Sequence, residues 1–362
     1  MKKVTVLGAG KIGTSIAKLL HHSKQYDVVV LDNNKSALDR IQKDSCLATG
    51  ILDVNNPSEL DQALTGQWAV ISACAFDFSA QIAEAALRCG INYFDLTEDV
   101  ETTKYIRNLA QKAKPGQIFM PQCGLAPGFI SILAHSLSHQ FESIDTLKMR
   151  VGALPQYPTN KMKYNLTWST DGLINEYCNP CEVLKNGELI EVLPLEGLET
   201  FSLDGKEYEA FNTSGGLGTL CETLQGKVQN LNYKTVRYQG HQYLADFLVN
   251  GLALGKTDRR QLLKQIMETA IPITRQDVIL IFVSVTGQKH GQFTQISDAR
   301  KIYDTRIFGE HWSSIQITTA ASACVAMDLH AKGALPKTGF IKQEQIELST
   351  FLENPFGAYY QK

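Results

Sequence analysis

Three groups of residues in this chain have types and spacings that could do chemistry. The first is YKTVRYQGH, Tyr233 to His241. Arg237 carries a planar guanidinium whose fork matches the two oxygens of a carboxylate. His241, with an unperturbed pKa of about 6.5, suits proton transfer near neutrality. Three readings fit the stretch: a basic, aromatic patch for nucleic acid, a pocket that grips a small anion, or a solvated strand. The second group is Asp95 and Glu98 in YFDLTED, 93–99. A carboxylate just past the carboxyl end of a strand lies where substrate meets cofactor in a parallel sheet, so either acid could share acid–base work. Glu98 and Asp99 equally suit the start of a helix over roughly 100–113. The third group is GAGKIG, with Gly8, Gly10 and Gly13.

The glycines come in an ordered setting. VTVL at 4–7 is a short buried strand, and Ile12, Ile16, Leu19 and Leu20 recur at helical spacing over Lys11 to Leu20. DVVVLD at 27–32 is a second strand, ending in an acid 19 residues past Gly13. Gly8 then makes the tight turn, Gly10 lets the backbone approach a pyrophosphate, and Gly13 lets helix and strand pack closely. The helix start, with Lys11 and Ile12, offers free N–H groups to the phosphates. Asp32 accepts hydrogen bonds from ribose hydroxyls and repels a 2′-phosphate. The residues after it are Asn33, Asn34 and Lys35, with no arginine, so NAD is expected rather than NADP.

These residues need elements to hold them, and the pattern supplies an alternation of strands and helices. GILDV (50–54) precedes a helix in SELDQAL, where Ser58 and Glu59 suit the N-terminus. AVISACA (69–75), NYFDL (92–96) and QIFMP (117–121) read as strands, and SAQIAEAALRCG as a helix closed by Gly90. The prediction is a Rossmann-type, doubly wound parallel sheet. Ligands of such sheets bind beyond the carboxyl ends of the strands. That rule places Asp53 and Val54, Ala73 and Cys74, and Gly124, Leu125 and Ala126 around the cofactor.

After residue 128 the texture turns strand-rich. IDTLKMRVGAL, KYNLTW, VLKNGELIEVL, FSLDGKEYEAF and VILIFVSV read as strands, with hairpin turns at Asn186-Gly187 and Asp204-Gly205. One helix near 259–269 interrupts them, and a last helix spans roughly 319–332. The expected class is α/β: a dinucleotide domain over 1–125, an inserted α+β domain on a mixed, largely antiparallel sheet over 126–318, and a helical segment over 319–362 returning to the first domain.

Composition excludes some functions. With 362 residues, 44% hydrophobic, 20% charged and net charge −2, the chain has no general attraction for phosphate backbones or anionic membranes. Its longest apolar runs are strand-length. Gly8, Gly10 and Lys11 break the start before a leader-like apolar core forms, so a cytoplasmic protein is expected. The eight cysteines are scattered. CNPC, with Cys178 and Cys181, lacks the second pair or histidines of a zinc site and the context of a redox disulfide, so packing is expected. His135 and His139 are too isolated for a metal, and none is expected.

GAGKIG, YFDLTED, PQCGLAPGF (121–129), VGALPQ (151–156), KYNLTWSTDGLINEY (163–177), EAFNTSGG (209–216) and KTVRYQGH (234–241) together resemble the saccharopine dehydrogenase family. Within it they are most similar to the short branch of lysine 6-dehydrogenases. The resemblance implies a Rossmann domain completed by the C-terminal helix, an inserted mixed domain, and a homodimer through the inserted sheet. The implied reaction is NAD-dependent oxidation at the ε-carbon of L-lysine or a close analogue, with release of ammonia and cyclisation of the semialdehyde. Arg237 then holds an α-carboxylate, and His241 acts as the base that the ammonium requires, with Glu98 and Asp95 as partners. Thr213, Asp171 and Tyr164 are pocket candidates. Two positions depart from the saccharopine reductases: Asp171 stands where they have arginine, and Ala126 where they have aspartate. Other readings are a saccharopine-type reductase using NADP and a non-catalytic NAD-binding regulator.

Overall fold

The computed structural model describes residues 1–361 and divides into two compact units, Met1–Phe129 with Gln316–Gln361, and Ile130–Ile315. The first unit alternates strand and helix: β1 (Lys2–Leu7), α1 (Lys11–His22), β2 (Tyr26–Asp32), α2 (Lys35–Asp44), β3 (Ala48–Ile51), α3 (Pro57–Leu64), β4 (Ala69–Ser72), α4 (Ser79–Cys89), β5 (Asn92–Asp95), α5 (Val100–Ala110) and β6 (Ile118–Met120). α6 (Phe129–Ser138) begins at its boundary.

The sheet runs β3-β2-β1-β4-β5-β6 and gains a two-residue strand, Gly339–Phe340, beyond β6. Every pairing is parallel. Val4, Val6, Val30, Val70 and Ile71 are fully buried, as continuous apolar strands covered on both faces require. The turn order β1-β2-β3 against β1-β4-β5-β6 puts the topological switch at β1, beside the glycines.

Local capping explains where several boundaries differ from expectation. Asn56, not Ser58, caps α3, accepting from the Glu59 N–H, and Pro57 takes the first helical position, where no N–H is needed. The strand read at 50–54 lies at 48–51, because the Asp53 carboxylate accepts from the Asn55 N–H and turns the chain. Helix α2 is absent from the sequence reading; Asn34 caps it through the Ala37 N–H. Gly90 closes α4 in the left-handed region at φ 70.

The second unit carries β7 (Ser143–Pro155), α7 (Thr170–Cys178), β8 (Cys181–Lys185), β9 (Glu188–Val192), β10 (Glu199–Leu203), β11 (Lys206–Asn212), α8 (Leu220–Leu224), β12 (Val228–Tyr238), α9 (His241–Asp246), α10 (Arg260–Ala270), β13 (Asp277–Lys289) and β14 (Gln292–Tyr303), then the small pair β15 (Thr305–Ile307) and β16 (Glu310–Trp312). Its main sheet runs β10-β11-β12-β7-β13-β14, and the β8–β9 hairpin joins β12. Only β12 and β7 pair in parallel. Asn186-Gly187 and Asp204-Gly205 form hairpin turns with both residues at positive φ, and His290-Gly291 and Phe308-Gly309 add two that the sequence pattern does not announce.

KYNLTW is not a strand. Only Leu166 makes an isolated bridge, to Ile273, and Thr170–Cys178 that follows is helical. The last long helix, α11 (Ser314–Ala331), starts five residues before the expected 319 because the Asp277 carboxylate accepts from the N–H groups of Ser314 and Ile315 at 2.6 and 3.1 Å. Beyond Gln316 this helix belongs to the first unit, where Asp328 accepts from the Tyr26 hydroxyl at 2.5 Å. β17 (Gly339–Phe340) and α12 (Leu348–Glu353) complete that unit.

Candidate functional site

In the first unit the residues of GAGKIG divide their tasks by the space around them. Gly8 has φ 106, and a Cβ there would lie 2.8 Å from the Ala73 carbonyl oxygen. A Cβ on Gly13 would lie 1.9 Å from the Gly8 carbonyl oxygen. Both glycines are therefore demanded by the protein itself. Gly10 is different: a Cβ there would meet nothing within 4 Å. It caps α1 with no side-chain bond, and the first turn of that helix holds no acid. An open space at an uncapped helix start, with the dipole pointing into it, fits a pyrophosphate.

Asp32, at the carboxyl end of β2, accepts from the Ala9 N–H at 2.6 Å through one oxygen and from the Asn34 N–H at 2.7 Å through the other. It thus holds the glycine turn and keeps further lone pairs for a ligand. Ala73 packs on the turn, and the Cys74 thiol is pushed up to about 12 by burial and by the Asp32 carboxylate. Asp53 and Val54 lie past β3, with Asp53 exposed. Gly124, Leu125 and Ala126 lie past β6, on the same edge but three strands from β1, about 14 Å at ordinary strand spacing.

Asp95 does not serve as an exposed acid–base group. It is 1% exposed, and Oδ1 accepts from the N–H groups of Thr97 and Gln122 at 3.0 and 2.8 Å while Oδ2 accepts from the Tyr93 hydroxyl at 2.7 Å. Its role is to tie the end of β5 to the end of β6. Burial pushes its carboxyl up to about 6. Asp99, not Glu98, caps α5, accepting from the Thr102 N–H at 2.8 Å; Glu98 lies half-buried in the preceding turn.

In the second unit the YKTVRYQGH stretch is not a solvated strand. Arg237 and His241 are 2% and 1% exposed. Arg237 Nε donates to the Tyr177 hydroxyl at 3.0 Å and Nη1 to the Val236 carbonyl at 2.9 Å. The guanidinium lies 5.0 Å from the ring centre of Tyr164 and 5.9 Å from that of Tyr177, a cation–π setting. Glu209 stands directly across the β11–β12 ladder from Arg237, yet its carboxylate accepts from the N–H groups of Gly240 and Gln242 at 2.8 and 2.6 Å. The nearest cross-strand acid is thereby engaged with the start of α9. Among the described residues no carboxylate forms an ion pair with Arg237, and Nη2 is left for a ligand. Glu176, buried on α7, favours the charge from beyond ion-pair distance, so the free edge of the guanidinium still suits an anion from outside the chain.

His241 has a role other than the expected base. Nδ1 lies 2.8 Å from the Met162 carbonyl, which can only accept, so Nδ1 carries the proton. Nε2 then accepts from the Tyr177 hydroxyl at 3.0 Å, and Tyr177 in turn accepts from Arg237. The imidazole orients Tyr177, and Tyr177 orients the guanidinium. Burial, with Arg237 adding to it, pushes the imidazole down to about 3 rather than 6.5.

That shift has a consequence for stability. The unfolded chain takes up a proton near pH 6.5 that the native His241 refuses, so stability is lost as pH falls from about 6.5 toward 3, at about 1.4 kcal/mol per unit. Asp95, raised to about 6 by burial, acts with the opposite sign, because the native state keeps its proton longer. Comparison with His241→Gln isolates the histidine. Between about pH 7.5 and about pH 5.5, wild type should lose about 1 kcal/mol more than the variant in urea titrations. Equal losses would mean that His241 is not held neutral.

The remaining candidates separate. Tyr164 is fully buried beside Arg237 and His241, and its hydroxyl has no hydrogen-bond partner among the described residues. Thr213 also has a buried, unpartnered hydroxyl, but it follows β11 four residues beyond Glu209, about 13 Å along the strand from Arg237. Asp171 does not line this pocket as a free carboxylate; it pairs with Lys264 of α10 at 2.6 Å and is 46% exposed. Tyr177 is a pocket residue that the sequence analysis does not single out, although the helical spacing of Thr170, Leu173, Ile174 and Tyr177 marks it as inward-facing. Cys178 ends α7 and Cys181 opens β8, both as free thiols.

A parallel sheet with an open, uncapped helix start at its switch point is a dinucleotide-binding architecture, and the unit that follows it in the chain holds a buried guanidinium with a free edge. The chain belongs to the saccharopine dehydrogenase family: residues 124–356 match the saccharopine dehydrogenase C-terminal domain and residues 4–120 the saccharopine dehydrogenase NADP binding domain. It is 24% identical over 215 residues to the saccharopine dehydrogenase [NADP(+), L-glutamate-forming] of Schizosaccharomyces pombe, covering 55% of this chain and 46% of that protein. It is 22% identical over 314 residues to the mitochondrial alpha-aminoadipic semialdehyde synthase of Bos taurus, covering 79% of this chain and 32% of that protein. The chain thus spans between about a third and a half of the length of these relatives. Its fold matches apo saccharopine dehydrogenase (L-Glu forming) from Saccharomyces cerevisiae with a TM-score of 0.78 at 16% identity, over 95% of this chain and 94% of that one.

Proposed function

We propose that this protein is an NAD-dependent dehydrogenase that oxidises the C–N bond at the ε-carbon of L-lysine or a closely related amino acid. The observation that carries the reading is Arg237, a buried guanidinium whose cross-strand acid is bonded elsewhere. Its free edge suits an α-carboxylate. Tyr177 and His241 fix the orientation of that edge, and the Tyr164 ring forms its floor. A bound nicotinamide would supply the hydride acceptor. The amine must reach it unprotonated; His241, with both nitrogens engaged, is not the group that takes the proton.

Asp32 supports NAD. Its carboxylate disfavours a 2′-phosphate, and Asn33, Asn34 and Lys35 supply no arginine to bind one. The second reading, an NADP-dependent saccharopine-type reductase, draws on the NADP in the family domain's name and in that of the Schizosaccharomyces pombe relative. The Lys264 partner of Asp171 and the neutral Ala126 leave both departures from the reductase pattern without a substitute arginine or acid at those positions. A homodimer through the second sheet is part of the proposal. Tyr157, Phe293 and Tyr303 are exposed on that unit, and sedimentation would read the mass.

One experiment separates these readings: reduced-cofactor formation from L-lysine and from saccharopine, each with NAD and with NADP. L-Lysine with NAD should give NADH, ammonia and a cyclic imine without 2-oxoglutarate, with NAD preferred about tenfold or more, or about 1.4 kcal/mol. Turnover of saccharopine alone, or a preference for NADP, would establish the reductase instead. NAD binding with no turnover on any amino acid would point to a regulator.

A further inference from the structure

Gln122 follows β6 by two residues and takes φ 66, a left-handed conformation uncommon outside glycine and asparagine. Asp95 holds it there. Its Oδ1 accepts from the Gln122 N–H at 2.8 Å, and its backbone carbonyl accepts from the Cys123 N–H at 2.8 Å. Gln122 is 3% exposed, yet no donor or acceptor among the described residues meets its side-chain amide. Gln343 flanks the same loop. Its Nε2 donates to the Pro121 carbonyl at 2.8 Å and lies 3.1 Å from Cys123 Sγ, while its Oε1 is buried and unpartnered. A strained backbone and an amide with no hydrogen-bond partner among the described residues coincide at Gln122, beside the buried, unpartnered Oε1 of Gln343. The strain and the unpaired Gln343 oxygen are unfavourable for folding, and such outliers persist where a ligand repays them.

The position says which ligand. Asp32 on β2 draws the adenosine ribose to one side of the glycine turn. An extended dinucleotide held by its pyrophosphate at β1 must then run the other way, past β4 and β5 toward β6. The group arriving at β6 is the nicotinamide, and its carboxamide is a primary amide with one acceptor and two donors. A second primary amide is its direct complement.

We propose that the Gln122 side chain binds the nicotinamide carboxamide, with Gln343 positioning the loop that carries it, and that this contact sets the orientation of the ring. The inference rests on the dinucleotide reading above. It calls for calorimetric binding of NAD and of ADP-ribose, which lacks the nicotinamide, to wild type, Gln122→Gly and Gln122→Leu. Both variants should bind NAD about tenfold or more weakly and ADP-ribose as wild type does. The glycine variant guards against misfolding, because φ 66 suits glycine and its melting temperature should hold or rise. Wild type should also prefer NAD over its 3-acetylpyridine analogue, in which a methyl replaces the amide nitrogen, and the variants should lose that preference. Unchanged NAD affinity in Gln122→Gly, or equal losses for NAD and ADP-ribose, would overturn the assignment while leaving the dinucleotide site standing. Failure of wild type to bind either ligand would remove the dinucleotide reading and this inference with it.

Discussion

Arg237→Met should raise KM for the amino-acid substrate about 100-fold or more, equivalent to about 2.7 kcal/mol, while costing no more than about 1–2 kcal/mol of stability. The guanidinium is buried with no carboxylate within ion-pair distance among the described residues; the Tyr177 hydroxyl, the Val236 carbonyl, two tyrosine rings and the field of Glu176 offset its desolvation. A flexible apolar side chain of similar reach removes both the desolvation cost and these contacts, so the two changes largely cancel. Arg237→Lys should fall between, because an ammonium cannot reproduce a two-pronged contact. Oxidation of cadaverine, an analogue without the carboxylate, should change little in either variant, and NAD affinity should survive both. Steady-state kinetics and thermal melts together check this. A large loss of stability with KM unchanged would make Arg237 a core residue and remove the carboxylate site.

Gly10→Ala and Gly13→Ala should fail in different ways. At Gly13 the new methyl lies 1.9 Å from the Gly8 carbonyl oxygen, so α1 must move off β1. A destabilisation of about 3 kcal/mol or more should follow, with dinucleotide binding lost alongside. At Gly10 the methyl meets no protein atom within 4 Å, and the backbone there is extended, at φ −70. Stability without ligand should therefore change by less than about 1 kcal/mol. The methyl nevertheless occupies the space at the helix start, and affinity for NAD and for ADP-ribose should fall about 100-fold. Melting curves with and without ADP-ribose resolve the two cases. Normal ADP-ribose affinity in Gly10→Ala would mean that no phosphate sits at this helix start.

The chain by itself determined whatever rests on local chemistry. The glycines, the buried strand before them and the acid at the end of the next strand define a dinucleotide turn within 32 residues, because each part acts on its sequence neighbours. Two-residue turns such as Asn186-Gly187 are equally local, since only residues tolerant of positive φ close them. Helix caps were less legible. Asn56 outcompetes Ser58, and Asp99 rather than Glu98 caps α5, by a choice between adjacent polar groups that composition does not decide.

The site in the second unit was decided by tertiary structure. Arg237 and His241 share one segment, but their meaning depends on Tyr177, Met162 and Glu209, which lie 28 to 79 residues away in sequence. Whether a guanidinium is paired, and whether an imidazole titrates near 6.5 or near 3, depends on burial and on which partner each nearby group has already taken. Glu209 could have neutralised Arg237 and instead holds the start of α9; Asp171 could have faced a ligand and instead holds Lys264. Pairing of that kind is a competition among groups brought together only when the sheet and helices assemble, so the residue types were visible in the sequence and their assignments were not.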